Sequence, residues 1–136
     1  MAELTDAQIA LLRDQNFGVV ATLKPDGSPQ TSVVWIDTDG EHVIFNTRND
    51  RAKGKHLRRD PRVSVTVFDA DRAYRYFEVE GTAELEVEGA NEHIHELSRK
   101  YNDGEDFHTP ENRVIVRVKP RRIFDYKVKS YSYRTC

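Results

Sequence analysis

Residues 76–88 read Tyr76-Phe77-Glu78-Val79-Glu80-Gly81-Thr82-Ala83-Glu84-Leu85-Glu86-Val87-Glu88. Phe77, Val79, Gly81, Ala83, Leu85 and Val87 alternate with Glu78, Glu80, Thr82, Glu84, Glu86 and Glu88, a period of two. A long strand with one glutamate-rich face belongs to an antiparallel sheet that is wet on one side. Gly81 in its middle predicts a bulge or bend of the kind a barrel requires.

The flanking sequence carries the same pattern. Phe17, Val19, Ala21 and Leu23 alternate, and Pro25-Asp26-Gly27-Ser28 is a turn signal. Strands are expected at Ser32–Ile36 and His42–Thr47, joined by the turn Asp37-Thr38-Asp39-Gly40, and another follows at Val63–Phe68. Arg113–Val118 is the next strand, and Pro120 is expected to interrupt it before Ile123–Tyr126. Thr5-Asp6-Ala7-Gln8 is a capping box opening a helix that runs to about Gln15. A basic helical segment over Asn49–Arg59 stops at Asp60-Pro61. Ala90, Ile94, Leu97 and Tyr101 mark the apolar stripe of a further helix. Six or seven short strands with flanking helices read as a mainly β (α+β) fold, a small closed or split β-barrel. The chain, residues 1–136, is read as a single domain with a polar, partly flexible tail over 127–136.

Composition excludes several classes. The only cysteine is Cys136, so there is no intrachain disulfide framework and no multi-cysteine zinc site. No apolar run is long enough for a transmembrane helix. The acidic, polar N-terminus lacks a signal-peptide pattern, so a cytoplasmic protein is expected. Net charge is only −2, but charge is segregated: Arg48–Arg62 holds seven Lys/Arg against two acids, and Glu78–Glu111 holds eleven acids against two bases. That distribution suits a local basic pocket for a phosphorylated small molecule better than a nucleic-acid surface, for which no motif is present.

Most catalytic motifs fail. His93 and His95 lie two apart, do not share a helix face, and read as solvated histidines rather than a metal site. There is no nucleophile elbow and no glycine-rich nucleotide fingerprint. Two stretches survive. In the first, a strand ends in Asn46 and Thr47, and Arg51 and Lys53 follow at a helix start. Hydroxyls, free backbone amides and paired cations are what a phosphate monoester needs. In the second, Tyr74-Arg75-Tyr76-Phe77 puts aromatics where they could wall a flat heterocycle.

Three segments together resemble one known family. They are Gly27-Ser28-Pro29-Gln30-Thr31-Ser32-Val33-Val34-Trp35, then Arg51-Ala52-Lys53 with His56 through Arg62, then Tyr76 with Glu80-Gly81-Thr82-Ala83. The chain resembles the pyridoxamine 5′-phosphate oxidase-like split-barrel flavoproteins, and within them the branch that uses the deazaflavin coenzyme F420. The resemblance implies a homodimer with cofactor sites between subunits, and a reductase acting on a conjugated small molecule such as a quinone, enone or tetrapyrrole. By the same resemblance, Thr47, Arg51, Ala52 and Lys53 would hold the cofactor phosphate, and Asn46, at the same strand end, is a further cofactor-binding candidate. Gln30, Ser32, Val33, Val34 and Trp35 would lie along the ring. Tyr74 and Tyr76 would come from the partner subunit, with Tyr76 a candidate proton donor. Arg121 and Arg122 would meet the acidic tail of the coenzyme. An FMN enzyme on the same fold and a non-catalytic flavin or deazaflavin carrier remain alternatives. The C-terminal stretch lacks the pyridoxamine-phosphate signature, which points away from vitamin B6 oxidation.

Overall fold

A computed structural model describes residues 2–131. Seven antiparallel strands form one curled sheet: β1 Phe17–Leu23, β2 Pro29–Trp35, β3 Asp37–Thr38, β4 Val43–Arg48, β5 Arg62–Phe68, β6 Tyr76–Glu86 and β7 Arg113–Tyr126. Their order is β2-β1-β5-β6-β7-β4-β3. Three helices accompany them: α1 Asp6–Arg13, α2 Ala52–Arg59 and α3 Ala90–Tyr101. The alternation read from sequence is the burial pattern observed: Val63, Val65, Val67, Phe77, Val79 and Ala83 point inward around the buried Phe45.

The sheet curls until β2 approaches β4, yet no ladder joins them. This is the split of the barrel. The chain itself crosses it. β2 is one edge of the sheet, β3 is the other, and the buried Ile36 is the single residue between them. Its backbone groups have no strand partner, so α3 supplies one. The Ile36 N–H donates to the Tyr101 hydroxyl at 3.2 Å, and Lys100 Nζ donates to the Ile36 carbonyl at 2.8 Å. Unpaired buried backbone is costly, which explains why two polar side chains end this helix here.

Several expectations need correction. Pro120 does not interrupt β7, which runs unbroken from Arg113 to Tyr126. The register shifts between Glu80 and Gly81, which pairs with Pro120. The expected bulge at Gly81 thus absorbs the proline, and a β-carbon there would sit 2.1 Å from the Lys119 carbonyl oxygen. Val87 lies beyond the end of β6 and is exposed. β2 begins at Pro29 rather than Ser32, and Asp37-Thr38 is a short strand rather than part of the turn. α1 stops at Arg13 with its predicted capping box in place. The first part of the polar tail is tied down. Val128 and Tyr131 are buried, and the Tyr131 hydroxyl donates to Asp14 Oδ2 at 2.5 Å. Residues 132–136, the rest of the expected flexible tail, lie outside the described residues.

Candidate functional site

The end of β4 and the start of α2 form the site's polar half. Gly54 lets them meet: a β-carbon on it would come within 2.9 Å of the Asn49 carbonyl oxygen. The N-terminus of α2 has no side-chain cap and no acid in its first turn, so its backbone amides and dipole favour an anion. Arg51 occupies the cap position and Lys53 is in the first turn. Among the described residues neither forms an ion pair, whereas Arg48 is neutralised by Asp50 through contacts of 3.0 and 3.1 Å. Burial pushes the Lys53 amine below its usual range, and the nearby Arg113 and Arg51 push it the same way. Thr47 is buried at 6% exposure, and its hydroxyl has no hydrogen-bond partner among the described residues. Clustered like charges and an unsatisfied buried hydroxyl cost stability unless a ligand satisfies them.

Asn46 spends its amide internally. Its Nδ2 donates to the Ala90 carbonyl and to His93 Nδ1, both at 3.0 Å, while its Oδ1 accepts from Arg113 Nε at 2.8 Å. Arg113 can only donate and the Ala90 carbonyl can only accept, so the amide orientation is fixed. His93 therefore accepts at Nδ1, and a neutral ring carries its proton on Nε2. Burial lowers its pKa, with Arg117 adding to the effect and Asp37 opposing it. The expectation of solvated helix histidines is thus overturned. His93 is partly buried and bonded, and His95 Nδ1 accepts from the Phe107 N–H at 3.1 Å.

The apolar half lies at the split. Val33, Val34, Trp35 and Asn46, all expected from sequence, line a groove of ≈ 260 Å³ together with Phe107 and Arg113. Trp35 stacks on Tyr101 with centroids 5.3 Å apart and meets Phe107 edge-on at 6.0 Å. Val33 is 65% exposed. The ring-lining set does not share one face, because β2 alternates. Val34 is buried in the core, so only its backbone edge can face a ligand. Gln30, Ser32 and Val34 share the side opposite to Thr31, Val33 and Trp35.

The remaining candidates lie elsewhere on this chain. Tyr76 pairs with Tyr126, ten residues along β6 from Glu86, which lies across β7 from Asn46. That is roughly 30 Å of strand. Tyr74 is 83% exposed. Arg122 pairs with Glu80 across the ladder, also some 30 Å along β7 from Arg113, and Arg121 falls in the bulge. On this chain the ladders set Tyr76 and Arg122 toward the end of β6 and β7 opposite to the residues that flank α2. Arg113 and Phe107 were missed from sequence. Their link to Asn46 and Trp35 depends on the β4–β7 pairing, which no local signal announces.

A family model described as pyridoxamine 5′-phosphate oxidase matches residues 4–127. The chain belongs to this family. Its half-closed sheet is the split barrel of flavin-binding oxidoreductases. A solved structure of an F420 reductase is 31% identical, with a TM-score of 0.77, over 89% of this chain and 98% of that one. A conserved hypothetical protein of Mycobacterium tuberculosis is 27% identical with a TM-score of 0.72, covering 98% and 92%. A putative pyridoxamine 5′-phosphate oxidase of Listeria innocua is 26% identical with a TM-score of 0.66, covering 87% and 93%. No helix among the described residues is long and apolar enough to cross a membrane.

Proposed function

We propose that this family member is an F420-dependent reductase, acting as a homodimer on a conjugated small-molecule acceptor such as a quinone, enone or tetrapyrrole. The observation that carries the reading is the pair Arg51 and Lys53, without an ion pair among the described residues, at the bare start of α2, which follows the strand end that carries the unsatisfied Thr47 hydroxyl, with Arg113 of the aromatic groove near enough to act on Lys53. A phosphate fits the first part and a flat heterocycle the second. The 31% identity to an F420 reductase favours the deazaflavin over FMN. The coenzyme, when bound, supplies the hydride chemistry. The chain's own residues do the rest. Arg51, Lys53 and the first amides of α2 fix the phosphate. Val33 and the Trp35 edge offer a dry face that orients the ring.

The homodimer reading rests on the outer face of the sheet. The ladders set Trp35, Phe17, Phe68, Tyr76 and Tyr126 in one cross-strand row. Tyr76 stacks on Tyr126 at 5.6 Å, and Phe124 and Tyr126 are exposed. Such a row needs a cover, and a second copy would bring its Tyr74 and Tyr76 to the first copy's groove, where Tyr76 is a candidate proton donor. Titration of the purified protein with F420 and with FMN, followed by fluorescence quenching, tests the reading. Tighter binding of F420, with turnover of a quinone or enone, is expected. Stoichiometric FMN that F420 does not displace would overturn it.

A further inference from the structure

Arg113 carries a charge that no carboxylate among the described residues neutralises. It begins β7 opposite Arg48, at the end of the sheet where α2 starts. Its Nε is fixed on Asn46 Oδ1 at 2.8 Å, and its guanidinium lies 5.1 Å from the centroid of the Phe107 ring. Its backbone N–H is held by Asn91 Oδ1 at 3.2 Å, and the preceding Asn112, in the left-handed region at φ 57°, gives its carbonyl to the Asn49 N–H at 2.8 Å. Both terminal nitrogens are without a partner among the described residues, and no carboxylate pairs with the group. Cations stand near enough to act on it. Arg48 and Arg51 act on Arg113, and Arg113 acts on Lys53.

A surface arginine normally meets water or an acid. This one is half-buried, oriented through one nitrogen and one ring face, and set against other cations, an arrangement that the folded chain alone does not reward. It also lines the aromatic groove. We infer that Arg113 is a third anion-binding side chain of the site, aimed by Asn46 so that its free guanidinium edge shares the ligand phosphate with Arg51 and Lys53. This rests on the phosphate site proposed above and extends it. Asn46, which also lines the groove, then acts as a positioning residue for Arg113, and the α3–β7 loop that carries Phe107 becomes part of the binding apparatus.

The test compares ligands with and without phosphate. FMN, F420 and riboflavin are titrated against wild type, Arg113→Gln, Asn46→Ala, the double variant and Lys53→Ala. Arg113→Gln is expected to weaken FMN and F420 binding roughly tenfold to a hundredfold and riboflavin, which meets it only at the groove wall, by no more than about threefold. Asn46→Ala is expected to weaken the phosphorylated ligands selectively, and to add nothing further in the Arg113→Gln background. If Lys53→Ala weakens binding and Arg113→Gln does not, the inference fails and the phosphate site stands. If neither does, both fail. An equal loss for riboflavin would make Arg113 a scaffold residue and overturn the inference. Should Arg113→Gln fold poorly, thermal melting of Arg113→Lys with added pyrophosphate decides the matter. The pyrophosphate-induced rise seen for wild type should shrink, and an unchanged rise would refute the role.

Discussion

Gly54→Ala tests whether the close approach of α2 to β4 builds the site. In an ordinary helix this change stabilises by about 1 kcal/mol, because alanine is the better helix former. Here the new methyl group would lie 2.9 Å from the Asn49 carbonyl oxygen and 3.0 Å from that of Arg48, both backbone atoms. Restoring ordinary contact requires α2 to retreat by about half an ångström, and forced overpacking costs about 1–3 kcal/mol. The net expectation is a loss of about 1 kcal/mol, or roughly 3–5 °C in melting temperature for a chain of this size. The retreat also carries Arg51 and Lys53 away from the end of β4. Placement errors near half an ångström weaken charge-assisted contacts, so FMN and F420 affinity should fall roughly threefold to tenfold. Thermal melts and fluorescence titrations on the same preparation read both effects. A variant that melts at or above wild type and binds both cofactors unchanged would refute the reasoning.

Lys53→Ala should weaken F420 and FMN binding by about ten- to a hundredfold in fluorescence titration, with little change in melting, because no internal partner is lost. Sedimentation at micromolar concentration should give about twice the 15.8 kDa chain mass, and Tyr126→Glu should shift it toward monomer. Lys100→Met removes the Nζ donor from the Leu12 and Ile36 carbonyls, now at 2.7 and 2.8 Å, leaving Ile36 only the 3.4 Å contact from the Tyr101 hydroxyl, and should cost about 1–3 kcal/mol in urea unfolding. Burial lowers the Lys100 pKa to about 8 from 10.5, so the unfolded chain binds the extra proton between those values. The stability this group contributes is fully present above pH 10.5 and is lost as pH falls to about 8. The deficit of Lys100→Met against wild type should therefore widen from pH 8 to pH 10, and a constant deficit would contradict the assignment.

The strands were legible because alternation is local: each run of valines and glutamates names its own inner and outer face. The capping box of α1 and the bulge at Gly81 were readable for the same reason. Pro120 was misread because the residue that accommodates it is Gly81 on another strand, and the register joining them is not written near either. At the site, Arg51 and Lys53 announced themselves as cations at a helix start. Arg113 did not, since its meaning comes from Asn46, 67 residues away. His93 misled in the same way. Its helix position is half-exposed by pattern, but β4 passes beneath it and supplies a donor. Val34 lines the groove although its side chain alternates into the core, an arrangement that the motif, which treats β2 as a block, does not spell out.

The crossing at Ile36 bears on how one scaffold can serve different cofactors. Between laddered strands, spacing is fixed near 4.8 Å by the hydrogen bonds themselves. Between β2 and β4 there is no such ruler. The gap is tethered by one peptide link and by the last turn of α3, through Lys100 and Tyr101. Its width is therefore an adjustable dimension, set by side chains on a helix and free of the sheet's own metric. Substitutions at Trp35, Tyr101 or Phe107 can broaden or narrow the aromatic groove without breaking a single ladder bond, so selectivity can drift while the barrel stays intact.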